Sequence, residues 1–255
     1  MIVDPLAQFR LDDRAVVLTG ASSGLGLGFA HALGAVGAKL VLAARRQPEL
    51  DALVTELHKG GVDAVALAVD ISAPENCRAV ADLAVKTFGR IDVLVNNAGT
   101  ASATPAHREA PETFRRVIEV NLCASFWMAQ ACARHMPDGS SIVNVSSALG
   151  HVAPRFPNAA YAASKAGVLG LTRDLAQEWT GRRGIRVNAL CPGYFDSEMT
   201  ADGRTAIEEM LERHSVMPRF GVQRELDSAL IFLASDASSY VTGASILVDG
   251  GLSAM

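Results

Sequence analysis

Apolar positions along this chain alternate between two textures. Short runs of Val, Ile, Leu and Ala with almost no polar interruption occur at Ala15–Thr19, Lys39–Ala43, Val62–Ala68, Asp92–Asn96, Ser141–Ser146, Ile185–Cys191 and Ile246–Val248. Between them lie longer stretches near 24–36, 47–59, 74–88, 111–135, 159–180 and 223–235, where apolar residues recur with the helical period. A strand without polar alternation needs cover on both faces, and helices of crossover length between such strands imply parallel pairing. The pattern therefore predicts an α/β, Rossmann-like fold: one doubly wound parallel sheet of about seven strands with helices on both faces. Ligand sites in such sheets lie at the carboxyl ends of the strands.

No linker, repeat or charge block interrupts the pattern, so 1–255 is expected to be a single domain. The least regular stretch, 193–222, is rich in Gly, Met, Arg and Glu and follows the sixth strand. It reads either as a substrate lid over the carboxyl edge or as a loosely packed surface helix pair.

Composition narrows the function classes. Hydrophobic residues make up 49% and charged residues 20% of the 255 positions, ordinary for a globular protein with a large core. A net charge of −4 gives no electrostatic reason to expect nucleic acid or an anionic membrane as partner. Cys77, Cys123, Cys132 and Cys191 form no CxxC pair, and the histidines lack metal spacing. Reduced core thiols, no metal and a cytoplasmic location are the expectation. The first residues show no basic and then apolar leader, and no apolar run reaches membrane-spanning length.

Chemistry enters at the turn after the first strand, Thr19-Gly20-Ala21-Ser22-Ser23-Gly24-Leu25-Gly26, which opens a helix. Gly20 permits a tight turn; Gly24 and Gly26 clear the way for a pyrophosphate to approach the helix N-terminus. Free N–H groups and the helix dipole face the anion there, with Ser22 and Ser23 as hydroxyl donors. Strand two ends Leu42-Ala43-Ala44-Arg45-Arg46, without the carboxylate that holds a ribose 2′-OH in NAD sites. Arg45 offers a fork of donors to a 2′-phosphate, which favours NADP(H); NAD(H) stays possible if both arginines merely solvate the strand end.

Tyr161 and Lys165 stand four residues apart, on one helix face. An ammonium about 4 Å from a phenol contributes on the order of 4 kcal/mol at an effective dielectric near 20. That equals about three pKa units, enough to bring the phenol from near 10 towards neutrality. Tyr161 then serves as general acid or base at a carbonyl or alcohol oxygen, and Ser147, after strand five, as a donor to the developing oxyanion.

Taken in order, Thr19–Gly26, Asp70, Asn96-Asn97-Ala98-Gly99, Asn121, Ser147, Tyr161/Lys165 and Pro192-Gly193 resemble the motifs of the short-chain dehydrogenase/reductase family over essentially the whole chain. The resemblance implies that Asp70 and Ile71 contact the adenine, and that Asn97, Ala98 and Gly99 line the middle of the cofactor. It implies that Asn121 anchors a water in a proton relay through Lys165, and that Pro192, Gly193, Phe195 and Ser197 hold the nicotinamide carboxamide. Three positions depart from the commonest pattern. The Ser147–Tyr161 gap is one residue longer, which leaves Ser146 as an alternative to Ser147; Ser23 stands where many NADP-dependent members are basic; Ser197 stands where Thr is usual.

The resemblance further implies a homotetramer packed through the long helices and the C-terminal strand. The expected function is an NADP(H)-dependent carbonyl reductase or alcohol dehydrogenase, similar to 3-oxoacyl-carrier-protein reductases and sugar-acid dehydrogenases, acting on a small-molecule carbonyl or alcohol. The alternatives are an NAD(H)-dependent dehydrogenase of the same family and a non-catalytic dinucleotide-binding regulator.

Overall fold

A computed structural model describes residues 4–153, 155–201 and 203–254. Seven parallel strands form one sheet: β1 (Ala15–Thr19), β2 (Lys39–Ala44), β3 (Ala64–Ala68), β4 (Val93–Asn96), β5 (Ser141–Val145), β6 (Arg186–Pro192) and β7 (Ser245–Val248). Their spatial order is β3-β2-β1-β4-β5-β6-β7. The chain winds outward from β1 to β3, then returns to lay β4 against the other side of β1, with Val16 opposite Val93 and Leu18 opposite Val95. This reversal splays the connections leaving β1 and β4 in opposite directions and opens a crevice at their carboxyl ends.

Alternation along the strands assigns the two faces. Val16, Leu18, Leu40 and Leu42 pack in one buried cluster with Phe29, Leu33, Leu50, Leu226 and Leu230. These come from α1 (Gly24–Ala35), α2 (Gln47–Lys59) and, late in the chain, α9 (Gln223–Ala234). Val17, Val41 and Ala43 point the other way, into a cluster with Val80, Ala84, Met128, Cys132, Leu175 and Trp179. That face is covered by α3 (Pro74–Phe88), α5 (Ala124–Ala133) and α6 (Ala159–Arg183). Local residues set the helix ends. Pro occupies the first turn of α2 and α3, where a missing N–H costs nothing, and Gly89 and Gly184 close α3 and α6 with left-handed φ of 78° and 65°.

The long helix expected over 111–135 forms, with a π-turn inside it. It divides into α4 (Pro111–Ile118), one π-turn at Glu119–Cys123, and α5. At the π-turn the Ser125 hydroxyl caps the Asn121 carbonyl at 2.8 Å, and the Asn121 side chain bonds away from the helix. The 193–222 stretch contains two short helices, α7 (Glu198–Ala201) and α8 (Arg204–His214), lying beyond the carboxyl end of β6. No helix among the described residues is long and apolar enough to cross a membrane.

At the opposite edge of the sheet the buried Asp92 carboxylate ties β4 to β1. It accepts from the Ala15 backbone N–H at 2.9 Å and pairs with Arg90 and Arg14, both partly exposed. Truncation leaves the Ala15 donor buried without a partner, so Asp92→Ala is expected to destabilise the protein by about 2 kcal/mol, with little effect on ligand binding. Urea unfolding monitored by circular dichroism checks this.

Candidate active site

The glycine turn is locked to the end of β4 from beneath. The Thr19 hydroxyl accepts from the backbone N–H groups of Asn97 (3.0 Å) and Ala98 (3.1 Å), and Asn97 Nδ2 donates to Thr19 O and Gly20 O. Gly20 sits at φ +68°, and a Cβ there would lie 2.7 Å from Ala98 Cα; one on Gly26 would lie 2.0 Å from Gly20 O. Ser23 caps α1 without a side-chain hydrogen bond, so the first N–H groups of the helix remain available. Bare backbone donors at a helix start, kept clear of side chains, fit the diphosphate of a dinucleotide.

At the adenosine end the structure brings in a residue that the sequence reading left in the background. Arg45 is exposed at the end of β2, while Arg46 folds onto the turn, 3.4 Å from Ser22 Oγ, and also pairs with Glu198 of α7 at 3.4 Å. Asp70 follows β3. Burial pushes its carboxyl up, but hydrogen bonds from the Ser72 N–H and hydroxyl and from Arg116 outweigh this and hold it below the usual carboxylate range. Ile71 is buried beside it.

Across the crevice, β5 delivers Ser146 and Ser147, and α6 delivers Tyr161, Ser164 and Lys165. The Ser146 hydroxyl is spent on Lys165 O at 2.8 Å, whereas the Ser147 hydroxyl interacts with the Tyr161 phenol and accepts from Leu149 N at 3.1 Å. Of the two candidate serines, Ser147 is the one that faces the tyrosine. Asn121 does not turn its side chain to Lys165; its amide bonds both backbone groups of Thr100 (2.8 and 2.9 Å) and Ser164 Oγ (2.9 Å). Gly99 lies under the Lys165 ammonium, where a Cβ would be 3.6 Å from Nζ.

The expected effect of Lys165 on Tyr161 needs correction. Nζ donates to Val145 O at 2.8 Å and stands 5.7 Å from the centre of the Tyr161 ring. Burial of the phenol dominates and pushes its pKa up, with only the Ser147 hydrogen bond drawing it down. Burial acts on the lysine in the opposite sense and lowers it to about 8. In the protein alone, Tyr161 is a protonated acid.

Pro192 and Gly193 leave β6 against Asp249, where a Cβ on Gly193 would lie 2.7 Å from Asp249 Cα. The Phe195 ring is buried against Gly221, so only its backbone faces outward, and Ser197 bonds to Thr200 and lies next to Gly24. Sequence reasoning missed Cys191, His151 and Tyr194. Cys191 Sγ lies 3.6 Å from His151 Nε2, and its neighbours Ser146, Ser147 and Lys165 belong to the same cluster. Burial, with Tyr161 nearby, pushes the Tyr194 phenol up to about 12. Its place directly after Pro192-Gly193 was the available signal. Tyr194 and Phe156 pack on the underside of α8 with Ile207, Met210 and Phe220.

A cluster of Tyr161 with the buried Ser147 and Lys165, across from a bare-backbone glycine turn at the carboxyl ends of the strands, is an arrangement compatible with a dinucleotide-dependent oxidoreductase. A family model described as enoyl-(acyl carrier protein) reductase matches residues 20–253. Galactitol 2-dehydrogenase (L-tagatose-forming) of Cereibacter sphaeroides is 41% identical over 95% of this chain and 96% of its own length. The 3-oxoacyl-[acyl-carrier-protein] reductase of Thermotoga maritima is 39% identical over 95% and 99%. The crystal structure of a gluconate 5-dehydrogenase from Burkholderia cenocepacia, in complex with NADP and tartrate, superposes with a TM-score of 0.93 at 35% identity, covering 99% of this chain and 100% of that one. The chain belongs to the short-chain dehydrogenase/reductase family, and it is an oxidoreductase acting on the alcohol–carbonyl pair.

Because Lys165 has a folded pKa of about 8 against 10.5 when unfolded, the unfolded chain binds more protons between those values. The contribution of Lys165 to the stability of the cofactor-free protein is therefore expected to rise with pH across that window, against the opposite contribution of buried thiols such as Cys191. At about 1.4 kcal/mol per unit the rise is on the order of 3 kcal/mol. The difference between wild-type and Lys165→Met stabilities from denaturant unfolding, measured against pH, should show this rise, since the buried thiols contribute equally to both.

Proposed function

We propose that the protein is an NADP(H)-dependent oxidoreductase that interconverts a carbonyl and a secondary alcohol, with Tyr161 as general acid and base. The observation that carries this reading is the meeting of the Tyr161 and Ser147 hydroxyls beside a bare-backbone phosphate cradle, with a buried lysine behind them.

A bound nicotinamide dinucleotide supplies hydride transfer to or from the substrate carbon. The cradle that would hold it is Gly20, Ser22, Ser23, Gly24, Leu25 and Gly26, with Asp70 and Ile71 at the adenine, Asn97, Ala98 and Gly99 in the middle, and Pro192, Gly193, Phe195 and Ser197 at the carboxamide. Ser147 donates to the substrate oxygen and holds it against Tyr161. Tyr161, protonated in its buried setting, delivers its proton to that oxygen in the reductive direction. Oxidation requires the phenolate, so it depends on added positive charge at the site and on alkaline pH. Lys165, lowered to about 8, can return a proton near neutrality. Asn121 positions this machinery by tying the Gly99-Thr100 loop to Ser164 on α6.

The preference for NADP(H) is supported by Arg45 and Arg46, which follow β2 where NAD sites carry an Asp or Glu, and by the bound NADP or NADPH of several similar structures. The 193–222 stretch is assigned as a substrate lid because α7 and α8 follow β6 and α8 carries an apolar underside towards Tyr194.

Tyr161→Phe is expected to lower kcat by about 10²–10⁴-fold while leaving the cofactor dissociation constant nearly unchanged. Initial rates at the nicotinamide absorbance and fluorescence titration of the dinucleotide measure the two quantities. Wild-type protein that binds dinucleotide but turns over no carbonyl would instead be a regulator. Replacing Arg45 and Arg46 together by Gln should weaken NADPH by about tenfold or more relative to NADH, since charge-assisted hydrogen bonds to the 2′-phosphate are lost. Stronger thermal stabilisation of the wild type by NADH than by NADPH would overturn the cofactor assignment.

A further inference from the structure

His151 is not among the side chains that the fold or the proposed chemistry requires, yet it is held at the mouth of the site. The one-turn helix Ala148–Gly150 begins at Ser147 and ends at His151, whose N–H donates to Ala148 O at 2.9 Å. Gly150 packs on the α6 backbone so closely that a Cβ would lie 3.0 Å from Lys165 O, which fixes where the turn sits relative to Lys165. From there the imidazole reaches inward until Nε2 lies 3.6 Å from Cys191 Sγ, although the residue as a whole is exposed. The Nε2 edge of the ring therefore meets the end of β6, and the remaining nitrogen belongs to an exposed side chain four residues after Ser147.

The tautomer of His151 is tied to the direction of its contact with Cys191. The thiol is fully buried on β6, and burial pushes it up to about 11, so near neutrality it keeps its hydrogen. The neighbouring Ser146 hydroxyl hydrogen is committed to Lys165 O. An S–H donated to Nε2 makes that nitrogen the acceptor and puts the hydrogen of the neutral ring on Nδ1. A buried thiol thus sets an outward-facing donor one short turn from the oxyanion donor.

We propose that His151 is a substrate-binding side chain whose Nδ1–H donates to a second oxygen of the substrate, within a few carbons of the reacting one. The preferred substrates are accordingly polyols, hydroxy-ketones or hydroxy acids rather than alcohols with a single oxygen. Cys191 is a positioning residue that acts through the imidazole. This assignment rests on the reading of Tyr161 and Ser147 as the reacting pair, and it names the substrate class of that same site.

Two measurements test it separately from that reading. The first needs no turnover: nitrogen–proton correlation spectra of ¹⁵N-histidine-labelled protein, above the histidine titration range, give the tautomer of His151, with the resonance assigned by its loss in His151→Phe. The Nδ1–H tautomer is expected in the wild type and in Cys191→Ser, and a shift towards a mixture in Cys191→Ala. An Nε2–H tautomer in the wild type, as would follow if that N–H donated to the sulfur, overturns the proposal.

The second compares kcat/KM for cyclohexane-1,2-diol and cyclohexane-1,3-diol with that for cyclohexanol. For at least one diol, the diol-to-cyclohexanol ratio should fall about five- to tenfold in His151→Phe and largely recover in His151→Asn, whose amide keeps a donor near the Nδ1 position. Ratios that do not change for either diol overturn the proposal even with the expected tautomer. Absence of wild-type turnover on these and all other carbonyls and alcohols refutes the Tyr161 reading and, with it, the substrate role of His151; the spectra then decide only the Cys191–His151 pairing.

Discussion

The pairing of β1 with β4 is the constraint from which the rest of the molecule follows. Two parallel strands adjacent in space but remote in sequence send their connections to opposite sides, and the gap between those connections is where a ligand enters. The Thr19 hydroxyl closes the floor of this gap by accepting two backbone N–H groups from the far strand, and Asn97 returns the favour with its amide. Glycine at 20 and 26 is then a steric necessity, because any Cβ would meet backbone within a bond length or two of contact distance.

Electrostatics on the other bank follow from burial more than from pairing. A phenol and an ammonium in one dry cluster move in opposite directions, since each resists the form that carries charge. The result is a tyrosine that holds its proton and a lysine that gives its proton up within reach of neutral pH. Under the proposed assignment of Tyr161, such a cluster suits proton delivery to a carbonyl oxygen, and abstraction from an alcohol waits on further positive charge. The Ser147 hydroxyl draws the phenol down against burial.

Much of the fold was legible in one dimension. Apolar runs became strands with bounds within two residues of those expected, and the central ones are buried because a strand covered on both faces has no polar position to spare, while the edge strands β3 and β7 are only partly covered. The helix over 111–135 was legible but its π-turn was not, because that turn is set by where Asn121 and Ser125 find partners, and Thr100 and Ser164 are distant in sequence. Arg46, rather than Arg45 alone, rests on the phosphate turn, and adjacent arginines at a strand end carry no sign of which will fold inward. The Cys191–His151 contact was equally silent, since it joins two segments 40 residues apart through the packing of β6 against the turn after β5.

By itself, the amino-acid sequence determined the layering of the sheet, the glycine turn after the first strand, and the Tyr161–Lys165 pair on one helix face. Those features arise from periodicity and from residues close together along the chain. Tertiary structure alone decided the direction in which the phenol titrates, which of two serines faces it, and what lies beside the phosphate turn. Each of these depends on how completely a group is removed from water and on which distant atoms surround it, and burial is a property of the packed chain as a whole.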